Sequence, residues 1–156
     1  MEGNQIDCKF YCEDLQSNRK KLFQDALQNA MTGKVLYIMH EELEELPQLS
    51  QELNSTKRQY MKMISFLYAK SLESLIESLT TLPEWQSIPA TIILDDLSAY
   101  CSKNSLHTAC GIIALLMDSA RSCSKSLGEP CALYVSATKG AVDENYCNML
   151  QEMYFK

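Results

Sequence analysis

Glycine and proline are scarce, five and four in 156 residues, and there is a single tryptophan. That scarcity excludes a collagen-like or low-complexity chain. No apolar run approaches the roughly 18 residues that a membrane helix requires. The opening MEGNQIDCKF has neither the basic start nor the apolar stretch of a secretory signal. The sequence therefore predicts a soluble chain that stays inside the cell and has no membrane partner. Basic charge is also short: 14 Lys and Arg stand against 20 Asp and Glu, a formal charge of −6. Strong autonomous nucleic-acid binding needs several cations gathered on one face, so any such contact is expected to be local or shared with a partner.

Cysteine is the exception to this economy. There are seven, an odd number, in a chain too large to need staples. Cys8, Cys110, Cys123 and Cys131 sit inside apolar segments, which predicts reduced core thiols rather than a disulfide framework. Cys8 and Cys12 stand at a spacing that could begin a zinc site, but no second Cys or His pair does, and His40 and His107 are isolated. No metal site is expected, and His107 reads as a surface residue near a helix end.

What the chain does have is 46% apolar residues at a length suited to one domain with one core, residues 1–156. Short apolar runs alternate with amphipathic helical patterns, the mark of βαβ units and a mostly parallel sheet. The expected order begins with a strand over Cys8–Cys12, a helix over Leu15–Met31 ended by Thr32-Gly33, and a buried strand over Val35–Met39. An acidic surface loop follows from His40 to Thr56. Tyr60–Ala69 suits a strand, with a helix running onward as the alternative. Ser71 is placed as the N-cap of a helix that Pro83 stops. Pro89–Asp96 is a β-branched strand apolar on both faces, which belongs in the middle of a sheet. A long helix from Ser105 to Leu127, a strand from Cys131 to Ala137 and a short helix from Asn145 to Tyr154 complete five strands flanked by helices.

The most informative segment is TIILDDL. An apolar strand ending in Asp is how P-loop ATPases set a carboxylate beside nucleotide-bound magnesium, and Asp95, followed by Asp96, holds that place. Many buried strands also end in Asp because an acid suits the solvated end of a sheet. A phosphate loop should follow the first strand, with glycine N–H groups around the phosphate, a Lys and a Ser or Thr. Here the place reads CEDLQSNRKK: it has no glycine, and Glu13 and Asp14 repel phosphate. Those acids are better explained as favourable charges at a helix N-terminus. Ser17 and Lys20 do not restore the spacing. Arg19, Lys20 and Lys21 form the densest basic cluster. With Lys139 after the last strand they are candidates for a backbone phosphate of DNA, beside the plainer reading of a solvated helix face. Met61, Met63, Phe66 and Tyr68 read as core or sheet residues before they read as a binding stripe. No nucleophile elbow is present.

In order, GKVLYIM, the acid-rich loop, YAKSLESLIESL, TIILDDLSAY and LHTACGIIALLMDSARSCSKSLGEPCALYVSATK resemble the RecA-like recombinase paralogues. The particular likeness is to the subunit that partners a SWIM-type zinc-finger protein in the animal Shu complex. The resemblance covers most of the chain and is strongest from Ile92 to Thr138. It implies a RecA-like fold, a nuclear location, a heterodimer with the SWIM-type protein, contact with single-stranded DNA, and support of a RecA-like recombinase in homologous recombination repair. Asp95 matches the family's metal-side Asp. The sequence departs from the family at the phosphate loop, at Thr138 where a glutamine sensor is expected, and near Lys156 where relatives continue into further strands. The resulting expectation is a pseudo-ATPase adaptor with no catalytic residue and no cofactor, its vestigial nucleotide site marked by Ser17, Asp95, Asp96 and Thr138. The alternative is a nucleotide-dependent, DNA-stimulated ATPase that uses ATP and magnesium at Asp95, with a phosphate site built from Ser17, Lys20 and Lys21.

Overall fold

A computed structural model describes residues 6–42, 59–101, 105–141 and 144–155. Most of the acidic loop expected between His40 and Thr56 lies outside the described residues. Strand β1 runs Asp7–Tyr11 and helix α1 Leu15–Ala30. Asp14 starts α1: its backbone is extended and its carboxylate accepts the Ser17 N–H, satisfying one of the helix's open donors. After α1 the chain turns through Gly33, where an added Cβ would stand 3.0 Å from that of Ala90, so a side chain there would press on Ala90 and make it give way. Strand β2, Val35–Met39, is buried along its whole length.

The segment expected as one strand from Tyr60 to Ala69 is divided. Gln59–Met63 is a 3-10 turn and only Ile64–Tyr68 forms β3. Tyr60, Met61 and Met63 all pack on the same cluster, which neighbouring residues of a strand cannot do, because strand side chains alternate between faces. Helix α2, Leu72–Thr81, is capped by Ser71 as expected. β4 is Thr91–Asp95, α3 is Leu106–Leu127, β5 is Ala132–Ser136 and α4 is Glu144–Tyr154. Gly128 ends α3 in the left-handed conformation that glycine adopts without steric cost.

The five strands form one all-parallel sheet in the order β1-β5-β4-β2-β3, with β4 central and buried throughout. Residues of α1 meet Val35, Tyr37, Met39, Ile93 and Tyr134 on one face. α2, α3 and α4 cover the other face over Leu36, Ile38, Ile92, Leu94, Leu133 and Val135. The burial of both faces is why these strands read as continuous apolar runs. The protein is thus an α/β domain with a parallel sheet between helices.

Cysteine chemistry departs from expectation at one pair. Cys8, Cys110, Cys123 and Cys131 are free thiols, as is Cys101, but Cys12 and Cys147 form a disulfide with their Cα atoms 6.5 Å apart. The pairing ties the end of β1 to α4, two segments distant in sequence that the fold brings together. Cysteine counting alone could not identify that contact. No helix among the described residues is long and apolar enough to cross a membrane.

Candidate functional site at the strand ends

Because the strands are parallel, their C-terminal ends share one edge of the sheet, where ligand crevices of open α/β folds lie. The sheet order places β5 between β1 and β4. The segments after β1, β4 and β5 therefore meet there, and they carry most of the residues singled out from the sequence.

Asp95 ends β4 and is 1% exposed. The Arg19 Nε–H donates to its Oδ2 at 3.1 Å, and the Tyr37 hydroxyl donates to the same oxygen at 2.8 Å. Oδ1, also buried, has no partner among the described residues. Burial pushes the Asp95 carboxyl above the usual carboxylate range, against the pull of the Arg19 charge and the Tyr37 hydroxyl, while Asp96 adds to the rise. Tyr37 is pushed far upward, first by its own burial and then by the Asp95 charge, so it stays a hydroxyl donor. Arg19 is therefore not part of a solvated face: it spans from α1 to β4 as the counter-ion of a buried acid.

Asp96 is the one described non-glycine residue with positive φ, at 79°. Its N–H donates to Ser136 Oγ at 3.0 Å and its carboxylate caps the next turn at the Ser98 N–H. Ser98 Oγ accepts in turn from the Thr138 N–H at 2.9 Å. A chain of short polar links thus ties the end of β4 to the end of β5. The Thr138 hydroxyl is buried and has no partner among the described residues.

Between β1 and α1 lie only Cys12, Glu13 and Asp14. The space inside this short connection is taken by Asn18, which is fully buried. Its Oδ1 accepts the Glu13 N–H at 3.0 Å, and its Nδ2 donates to the carbonyls of Glu13 at 3.1 Å and Ala137 at 3.0 Å. The Lys139 N–H closes the other side onto the Glu13 carbonyl at 2.8 Å. Both backbone groups of Glu13, at the middle of the connection, are thus engaged internally. Asn18 escaped the sequence reading, although it stands four residues before Leu22 on the stripe Leu22-Ala26-Ala30. A polar residue on a buried helical stripe signals a specific partner.

The remaining candidates divide. Ser17 donates its hydroxyl to Asp14 Oδ2 at 2.7 Å and so serves the helix start. Those contacts hold the Asp14 carboxyl below its ordinary range. Lys21 pairs with Glu13 at 2.5 Å and lies over the Tyr11 ring. Lys20 and Lys139 are exposed, and neither side chain makes an ion pair among the described residues. His107 is exposed near the start of α3, as expected, and His40 meets the edge of Tyr100. Among the described residues no three His, Cys, Asp or Glu side chains cluster to hold a metal.

The site therefore unites Asp95, Asp96 and Thr138 with Arg19, and leaves Lys20 and Lys139 as its exposed cations. Its buried carboxylate already has a protein cation, and its first loop is occupied by a side chain. No protein-family model matches this chain, and no curated protein matches it either.

Proposed function

We propose that this chain is a RecA-like adaptor whose nucleotide site has been closed from within. In this reading it is a pseudo-ATPase that forms one half of a heterodimer with a SWIM-type zinc-finger protein. The pair promotes assembly of a RecA-like recombinase on single-stranded DNA during homologous recombination repair in the nucleus. The observation that carries the reading is Arg19 bound to Asp95. The guanidinium stands beside the acid to which a RecA-like ATPase would bring magnesium, so a fixed internal cation replaces a soluble one. Asn18 supports it, because its Oδ1 takes the Glu13 N–H, a donor of the connection where a phosphate loop would lie. The sheet order adds further support, since β5 lies between the first strand and the Asp-bearing strand.

An ATPase built on Ser17, Lys20 and Lys21 fits less well, because Ser17 is engaged with Asp14 and Lys21 with Glu13. DNA contact falls to Lys20 and Lys139, two exposed cations on a chain of formal charge −6, so most of the affinity belongs to the partner.

The test is co-expression with a SWIM-type zinc-finger protein, followed by size-exclusion chromatography and titration with a fluorescent ATP analogue and magnesium. A one-to-one complex that leaves the analogue unbound is expected. Failure to co-purify removes the adaptor role, and saturable binding lost on Asp95→Ala restores the ATPase.

A further inference from the structure

β1 is one edge of the sheet, and among the described residues no strand pairs with its outer side. The Asp7 N–H donates to the Cys131 carbonyl, and the Tyr11 carbonyl accepts from the Ala137 N–H. The odd-numbered residues therefore turn their backbone groups toward β5. By strand alternation, those of Ile6, Cys8 and Phe10 face outward. Among the described residues none of these outward groups has a backbone partner. Edge strands are commonly guarded by charge, because an open ladder recruits other chains. Here the guards are Asp7 and Lys9, both exposed and flanking Cys8. Asp7 makes no ion pair among the described residues, and the Lys9 ammonium stands 6.0 Å from the centre of the Tyr134 ring.

The stretch Ile6-Asp7-Cys8-Lys9-Phe10 is complementary to its own reverse. We propose that β1 pairs antiparallel with β1 of a second copy about a two-fold axis at Cys8, joining two sheets into one. In that register Cys8 faces Cys8 of the second copy, Asp7 faces its Lys9, and Ile6 faces its Phe10. Acid meets base and apolar meets apolar, as stable cross-strand pairs require. The outward backbone groups of Cys8, Ile6 and Phe10 all find partners, and a two-fold axis closes the assembly without leaving it free to grow.

Neighbouring registers fail on the same residues. Centring on Asp7 or Lys9 sets like charges opposite, while centring on Phe10 sets Asp7 against Glu13. Five paired residues bury less than a permanent interface needs, so the dimer forms and separates with concentration. The pairing is independent of the adaptor reading.

Sedimentation of the full chain over a range of concentrations, with and without the thiol oxidant diamide, tests it. In a hydrogen-bonded antiparallel pair opposite Cα atoms lie about 5.5 Å apart, within the span a disulfide bridges. Two Cys8 thiols can then give their hydrogens to diamide and join, and Cys8→Ser should remove that link. Asp7→Lys and Lys9→Asp should each weaken dimerisation roughly tenfold, since each turns two attractive pairs into repulsive ones. An equal mixture of the two variants should restore it, because both lysines of the first variant then face aspartates of the second. The double variant D7K/K9D, which only reverses the pairs, should dimerise like the parent and guards against a single variant that folds poorly. A monomer at every concentration, a link mapped to another cysteine, or a mixture no better than its components would overturn the proposal.

Discussion

Removing Arg19 should harm this protein more than neutralising the acid it serves. The Arg19 side chain is 21% exposed, whereas that of Asp95 is fully buried. In Arg19→Met the Asp95 carboxylate stays buried with only the Tyr37 hydroxyl against it, and stranding a buried charge costs about 3 kcal/mol. In Asp95→Asn the amide oxygen still accepts from Tyr37, and Arg19 can turn toward water, so the loss is about 1 kcal/mol, the scale of one hydrogen bond. Near neutral pH, urea unfolding followed by circular dichroism should show a midpoint about 1–2 M lower for Arg19→Met, and a loss about a third as large for Asp95→Asn. The pH dependence separates charge from packing. Burial already raises the Asp95 carboxyl in the folded state, and loss of Arg19 raises it further. An acid whose folded pKa exceeds its unfolded value favours folding below the unfolded value, and that contribution is lost as pH rises through the folded one. The Arg19→Met penalty should therefore be full at neutral pH and shrink on acidification as Asp95 takes up a proton. Asp95→Asn should show no such change. Equal losses in the two variants, or an Arg19→Met penalty that acid leaves untouched, would refute the reasoning.

Asn18→Ala strips the Glu13 N–H and the Ala137 carbonyl of their side-chain partner, while the Glu13 carbonyl keeps the Lys139 N–H, and should lower stability by about 2 kcal/mol in the same assay. Asn18→Asp should be at least as harmful at neutral pH, because a carboxylate would face two carbonyl oxygens. At Asp96, glycine accepts the positive φ and loses only the cap at Ser98, whereas valine loses the cap and is strained as well. Thermal melts should therefore place Asp96→Gly above Asp96→Val by about 1 kcal/mol or more. If Lys20 and Lys139 each meet a phosphate, changing both to Ala in the heterodimer should lower the slope of log affinity against log salt by about 1.4 on single-stranded DNA, and an unchanged slope removes them from the interface.

The elements are legible because both faces of the sheet are buried. Val35–Met39, Thr91–Asp95 and Ala132–Ser136 are short apolar runs bounded by turns, and the α3 stripe from Ala109 to Cys123 follows helical spacing closely. Tyr60–Met63 is illegible because a turn packed on one cluster and a half-buried strand both present mixed apolar residues to a reader of sequence. The Cys12–Cys147 link depends on where α4 docks, which no local pattern encodes. The short motifs are legible as positions, with Asp95 and Asp96 at a strand end and Asp14 at a helix start, because their consequences are local.

The meaning of the basic cluster is not local, and there the sequence reading runs out. Arg19, Lys20 and Lys21 are neighbours in the chain, yet successive helical positions face different directions. Arg19 turns to the sheet and reaches Asp95, Lys21 reaches back to Glu13, and Lys20 stays in solvent. Which residue goes inward depends on the phase of the stripe carrying Asn18, Leu22 and Ala26, all buried against the sheet. It also depends on strand order. α1 leads from β1 to β2, which lies beyond β5 and β4 in the sheet, so it crosses their face and packs on the strand that Asp95 ends. The ion pair is therefore a product of topology: one basic residue of three is held by the fold, and the nucleotide-site reading depends on that one residue.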